Sequence, residues 1–160
     1  MKSECKYSFQ EAQLRLESYC AYQERCDKEI ETKLFQWNFP KDQTVLLIDY
    51  LKTNSFLNNE RFAFSFVSGK IRFKKWGRIK IKYHLSQKGI DKELIALAFK
   101  EIDLDEYWNN LLHLTQRKFI DTKETNVWQK KSKMSRFLVS KGYESDLIRE
   151  AIDAVFIELN

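Results

Sequence analysis

Seven cations, Lys70, Arg72, Lys74, Lys75, Arg78, Lys80 and Lys82, fall within thirteen consecutive residues, interleaved with Phe73 and Trp76 and followed at once by Tyr83. From Arg61 to Ile90 the chain holds nine lysines and arginines and no aspartate or glutamate. All 160 residues together carry a formal charge of only +5, so this stretch of +9 leaves −4 for the remainder. A solvated helix face ordinarily mixes signs, because like charges at helical neighbour spacing repel. Concentrated cations with aromatics between them point instead to a polyanion or an acidic protein surface. The planar fork of arginine suits phosphate or carboxylate, so Arg72 and Arg78 rank first among the seven. Trp76, beside Gly77, could stack on an exposed base or fill the core. Phe62, Phe66, Phe73 and Tyr83 are expected in the core. Arg61 divides between a binding role and an ion pair with Glu60 or a distant acid.

Other chemistries find little support. Two histidines, scattered acids and no phosphate-cradling glycine loop make no catalytic constellation, so the chain is read as a non-enzyme without cofactors. Cys5, Cys20 and Cys26 are odd in number and lack a Cys-x-x-Cys spacing, and His84 and His113 lie far from them in sequence. They read as free thiols of a reducing cytoplasm, with no metal site. Met1-Lys2-Ser3-Glu4 leads into mixed polar sequence, which predicts no secretory signal, and no apolar run approaches the roughly 20 residues that span a membrane.

The elements that must position these cations are helices. One proline and four glycines are too little punctuation for an all-β chain. Three segments superpose: Lys33 to Phe39, His84 to Ile90 and Phe137 to Tyr143. In each, a leucine precedes by four residues an Asn or Gly (Asn38, Gly89, Gly142), types that tolerate the left-handed turn ending a helix, and an apolar residue follows. At the same offsets downstream come Leu47, Ile48 and Leu51; Ala98, Phe99 and Ile102; and Ala151, Ile152 and Val155, with the three-and-four spacing of a helical core stripe. The chain therefore reads as all-α, an elongated array of three tandem three-helix repeats with about nine helices, divided at 1–53, 54–102 (the basic unit) and 103–160. Pro40, Asp91 and Glu144 or Ser145 mark the start of each last helix.

The basic stretch is ambiguous by pattern. Phe62, Phe64 and Phe66, then Ile71 and Phe73, then Ile79, Ile81, Tyr83 and Leu85 alternate as strand residues do, and a hairpin turning at Lys74 to Gly77 is conceivable. An isolated two-stranded hairpin is marginal in water, and the repeat places Leu85 and Gly89 at a helix end. The expected arrangement is helix, break at Lys74 to Gly77, helix.

The run Phe56-Leu57-Asn58-Asn59-Glu60-Arg61-Phe62-Ala63, then Lys70 through Ile81, then Leu85-Ser86-Gln87-Lys88-Gly89-Ile90, closely resembles the RecX family of bacterial recombinase regulators. The similarity covers roughly residues 8 to 157 and is strongest from 56 to 102; Lys141-Gly142 carries it in the third unit. The resemblance implies an all-helical array that binds the RecA filament on single-stranded DNA, lies in its groove, and modulates recombination and ATP turnover, usually downward, in DNA repair and the SOS response. The chain is expected to act as a monomer, with direct DNA contact left open. Family members often carry aspartates where this chain has Asn58 and Asn59, so a capping role survives there and a charge role does not. The rival reading is a helical protein that binds duplex DNA without a recombinase.

Overall fold

The structure, a computed structural model, describes residues 4–159. Nine helices occur among the described residues: α1 (Phe9–Tyr22), α2 (Asp27–Gln36), α3 (Lys41–Thr53), α4 (Asn59–Lys74), α5 (Arg78–Gln87), α6 (Lys92–Lys100), α7 (Leu104–Asp121), α8 (Val127–Lys141) and α9 (Ser145–Leu159). No strand occurs among them. The fold is an all-α array of three tandem three-helix units, with α1–α3, α4–α6 and α7–α9 packed among themselves and α4 against α7. No helix among the described residues is long and apolar enough to cross a membrane.

The starts of α1, α4, α7 and α8 are fixed by side chains that satisfy otherwise orphaned N–H groups. Ser8 and Glu11 form a reciprocal capping box on α1, Asn58 Oδ1 accepts from Arg61 N–H at 2.9 Å, and Asp103 and Asn126 cap α7 and α8. The second helix of each unit ends in the same way. Asn38, Gly89 and Gly142 have φ of 54°, 74° and 92°, and each is followed by an N–H that reaches five residues back: Phe39 to Leu34, Ile90 to Leu85 and Tyr143 to Leu138. This is the Schellman closure, in which the left-handed residue turns the chain so that the next apolar side chain folds back onto the helix. All three leucines are fully buried, as are Phe39, Ile90 and Tyr143 nearly so.

Two cores result. Ala12, Leu16, Ile30, Leu34, Leu47 and Leu51 belong to the first, inside the N-terminal unit. The second is continuous through the middle and last units and includes Phe62, Val67, Ile81, Leu85, Leu111, Met134 and Tyr143; Cys26 joins it from the first unit. The accessible surface of 10464 Å² exceeds the roughly 8,500 Å² of a compact monomer of this mass, as an extended array requires.

The alternating apolar residues resolve into helical faces. Ala63, Val67 and Ile71 are buried at intervals of four on α4, and Ile81 and Leu85 do the same on α5. A two-residue alternation on a helix throws every other side chain to the far face. Phe73 is consequently 79% exposed and Tyr83 61%, which corrects their expected placement in the core; Ile79 is left outside for the same reason. Phe62 is buried and Phe66 half-buried against the core.

Candidate functional site on the middle unit

Gly77 separates α4 from α5 and brings the middle unit against the end of α8. Its N–H donates to the Lys141 carbonyl at 2.8 Å, and Ile79 N–H donates to the Gly142 carbonyl at 3.0 Å. Lys80 Nζ takes the Ser140 carbonyl at 3.1 Å. The last carbonyls of α8, which no helix can satisfy internally, are thus satisfied by the start of α5. The other end of α5 meets α2 in a related way. Lys28 Nζ donates to the Gln87 carbonyl at 2.7 Å, and the Cys26 thiol lies 3.7 Å from the Lys88 carbonyl. Cys26 and Gly77 are the N-caps of α2 and α5, each twelve residues before its left-handed cap residue. The second helices of the three units therefore run end to end in the order α8, α5, α2. At 1.5 Å per residue they form a spine of roughly 50 Å contour length.

This spine divides the seven cations. Lys75 has φ 51° in the turn closing α4 and sends Nζ to Asn110 Oδ1 at 2.8 Å, while Asn110 Nδ2 donates to the Ile71 carbonyl. Arg78 is half-buried, with Nε 2.6 Å from Glu144 Oε1 in an ion-pair contact. Its backbone N–H donates to Tyr107 Oη at 2.8 Å, and Tyr107 Oη donates to Glu144 Oε2 at 2.7 Å. Burial works against the Arg78 charge, but Glu144 and Tyr107 outweigh it and hold the guanidinium more firmly protonated. Burial pushes the Tyr107 phenol up, so it remains a donor. Lys75, Arg78 and Lys80 thus hold the joint between the middle and last units.

The remaining cations face outward. Arg72 is exposed, with Nε 3.7 Å from Glu106 Oε1. Lys74 and Lys82 are exposed and form no ion pair among the described residues. They stand beside the exposed rings of Phe73 and Tyr83. Lys70 Nζ lies 5.0 Å from the Phe66 ring centre and 4.9 Å from that of Trp76. Trp76 is half-buried; it packs on the core, stacks on His84 at 4.8 Å, and receives Lys80 Nζ at 4.7 Å. It is therefore both a packing residue and part of the cationic surface. Arg61 pairs with Glu24 at 3.0 Å and donates to the Ser55 carbonyl, tying the first unit to the second, as Lys88 does through Glu29 at 2.6 Å. Asn59 Oδ1 accepts from Asp27 N–H across the same boundary.

Sequence reasoning missed two features. The partners of the joint, Tyr107, Asn110 and Glu144, sit 29 to 66 residues from the cations they engage, and no local pattern reveals such pairing. A second acid-free segment, Thr125 to Tyr143, carries Lys130, Lys131, Lys133, Arg136 and Lys141, and charge counting alone would have found it. Lys131 and Lys133 are engaged by Asp153 and Glu124.

Comparison with known proteins agrees with this architecture. Residues 58–98 match the family description "RecX, second three-helix domain", and residues 105–152 match "RecX, third three-helix domain". "Regulatory protein RecX" of Clostridium botulinum (strain Eklund 17B / Type B) is 32% identical over 138 residues, 84% of this chain and 64% of that protein. The protein of the same name from Yersinia pseudotuberculosis serotype O:1b is 34% identical over 113 residues, 70% of this chain and 58% of its own length. The chain spans less than two thirds of these relatives. The crystal structure of RecX from Lactobacillus salivarius superposes with a TM-score of 0.81 at 23% identity, covering 93% of this chain and 97% of that one, which speaks to the fold. The two matched domains together cover more than half of the sequence and coincide with the two units that share a core: the chain belongs to the RecX family.

Proposed function

We propose that this chain is a non-enzymatic regulator of a RecA-type recombinase, acting as a cytoplasmic monomer in DNA repair and recombination. The spine lies along the groove of the recombinase filament on single-stranded DNA, so that successive units meet successive parts of the filament. Occupying the groove restrains strand exchange, and any change in ATP turnover arises in the partner. Relatives carrying the name "Regulatory protein RecX" support a regulatory role, and family membership supports RecA as the partner.

The observation that carries this reading is the surface of the middle unit. Arg72, Lys74 and Lys82 project from an acid-free stretch, two of them without any ion pair among the described residues, at the centre of an extended array. A surface left positive in this way attracts phosphates or the acidic face of a nucleoprotein. Addition of the protein to its cognate recombinase on single-stranded DNA is expected to lower ATP hydrolysis and strand exchange at up to stoichiometric amounts. Unchanged rates of both would sink the reading.

A further inference from the structure

Three aromatic rings form a ladder at the surface of α5. The exposed Tyr83 ring meets His84 edge-on, with centres 5.5 Å apart and planes at 84°. His84 in turn stacks on Trp76, 4.8 Å away at 27°. Lys70 from α4 and Lys80 from α5 place their ammonium groups within 5 Å of the Trp76 ring centre. Lys80 spends one N–H on the Ser140 carbonyl. Ile81 and Leu85 supply the buried stripe of α5, which leaves the Tyr83 ring outside the core.

His84 stands where positive charge is least welcome. Partial burial first, and then the charges of Lys80, Lys70 and Lys88, hold its imidazole below its ordinary range. No carboxylate is among the charges acting on it. Lys88 is itself engaged by Glu29 of α2. An anion entering between Lys70 and Lys80 would reverse that balance and favour the imidazolium. Rings beside cations fit a particular polyanion: bases stack on aromatic faces, with affinity that a carboxylate chain cannot match.

We propose that the Tyr83–His84–Trp76 ladder is a docking site for single-stranded nucleic acid, in which a base stacks on Tyr83 and a backbone phosphate settles between Lys70, Lys80 and a protonated His84. The proposal deepens the regulatory reading above and rests on it for the polyanion. Binding takes up a proton, so affinity rises as pH falls.

The test uses the full chain and a fluorescently labelled oligothymidylate, whose bases and phosphates do not titrate between pH 6 and 8. Polarisation should show binding tightening by roughly two- to fivefold from pH 8 to pH 6, the linkage of a one-unit rise in a His84 pKa that starts below its ordinary range. His84→Gln should remove this dependence, so that its affinity no longer changes between pH 8 and pH 6. Tyr83→Ala should weaken binding roughly fivefold or more, and Tyr83→Phe, which keeps the ring, should restore it. An unchanged pH response in His84→Gln overturns the proposal, as does displacement by polyglutamate as readily as by unlabelled oligothymidylate. If these variants bind oligothymidylate like the parent while the parent still suppresses recombinase ATP hydrolysis, the ladder assignment fails and the regulatory reading stands.

Discussion

Gly77 and Gly142 approach so closely that neither has room for a side chain. A Cβ on Gly77 would lie 2.2 Å from the Gly142 carbonyl oxygen, and one on Gly142 would lie 2.3 Å from Lys80 Cβ. The obstruction at Gly77 is backbone, which cannot swing aside. Gly77→Ala is therefore expected to cost about 2 kcal/mol or more, and Gly142→Ala a similar amount with its left-handed backbone added. Gly69 lies inside α4 with nothing within 4 Å of its would-be Cβ, so Gly69→Ala is expected to stabilise by about 0.5–1 kcal/mol. Denaturant unfolding measures all three.

The same joint is closed by Arg78 and Glu144, both about two-thirds or more buried at the side chain. A double-mutant cycle with Arg78→Met and Glu144→Gln should show a coupling of about 1 kcal/mol. Tyr107→Phe should cost about 1–3 kcal/mol, because it strands the Arg78 N–H that now donates to the hydroxyl. Near-zero coupling together with a neutral Tyr107→Phe would mean that the joint is held by backbone contacts alone.

Thiol chemistry should separate the three cysteines. Cys5 is exposed, whereas burial pushes the Cys20 thiol up to about 11 and raises that of Cys26. Alkylation at pH 8 is expected to label one cysteine in the folded protein and three in denaturant, because the thiolate is the nucleophile. Rapid labelling of all three in the native state would contradict the burial of α1 and α2 described here.

Shape provides an independent check on the spine. A compact globule of this length has a radius of gyration of about 15 Å. Small-angle scattering should return a clearly larger value, and the compact value would refute end-to-end second helices.

Much of this fold is legible in the sequence because it is local. Asn38, Gly89 and Gly142 announce themselves by residue type, and their leucine and apolar neighbours fall at fixed offsets that one helix turn dictates. Placement of the basic stretch on helices was readable for the same reason. Phe73 and Tyr83 were not, since composition says that an aromatic prefers burial but not which face of a helix has a neighbour. Nor was the division of the cations. Arg78 and Lys75 look like Arg72 and Lys74 in sequence; only Glu144 and Asn110, brought in by another unit, make them structural.

That division sets the decisive measurement, because reversing Arg78 or Lys75 would damage the joint and report on folding instead. The variant Lys74→Glu/Lys82→Glu alters two exposed, unpaired cations and should unfold at the same denaturant concentration as the parent. If the outward face of the middle unit engages the recombinase nucleoprotein, this folded variant loses most of its suppression of RecA-type ATP hydrolysis, by about tenfold or more in the concentration needed. A folded double variant that suppresses hydrolysis at the parent's concentration would contradict the account.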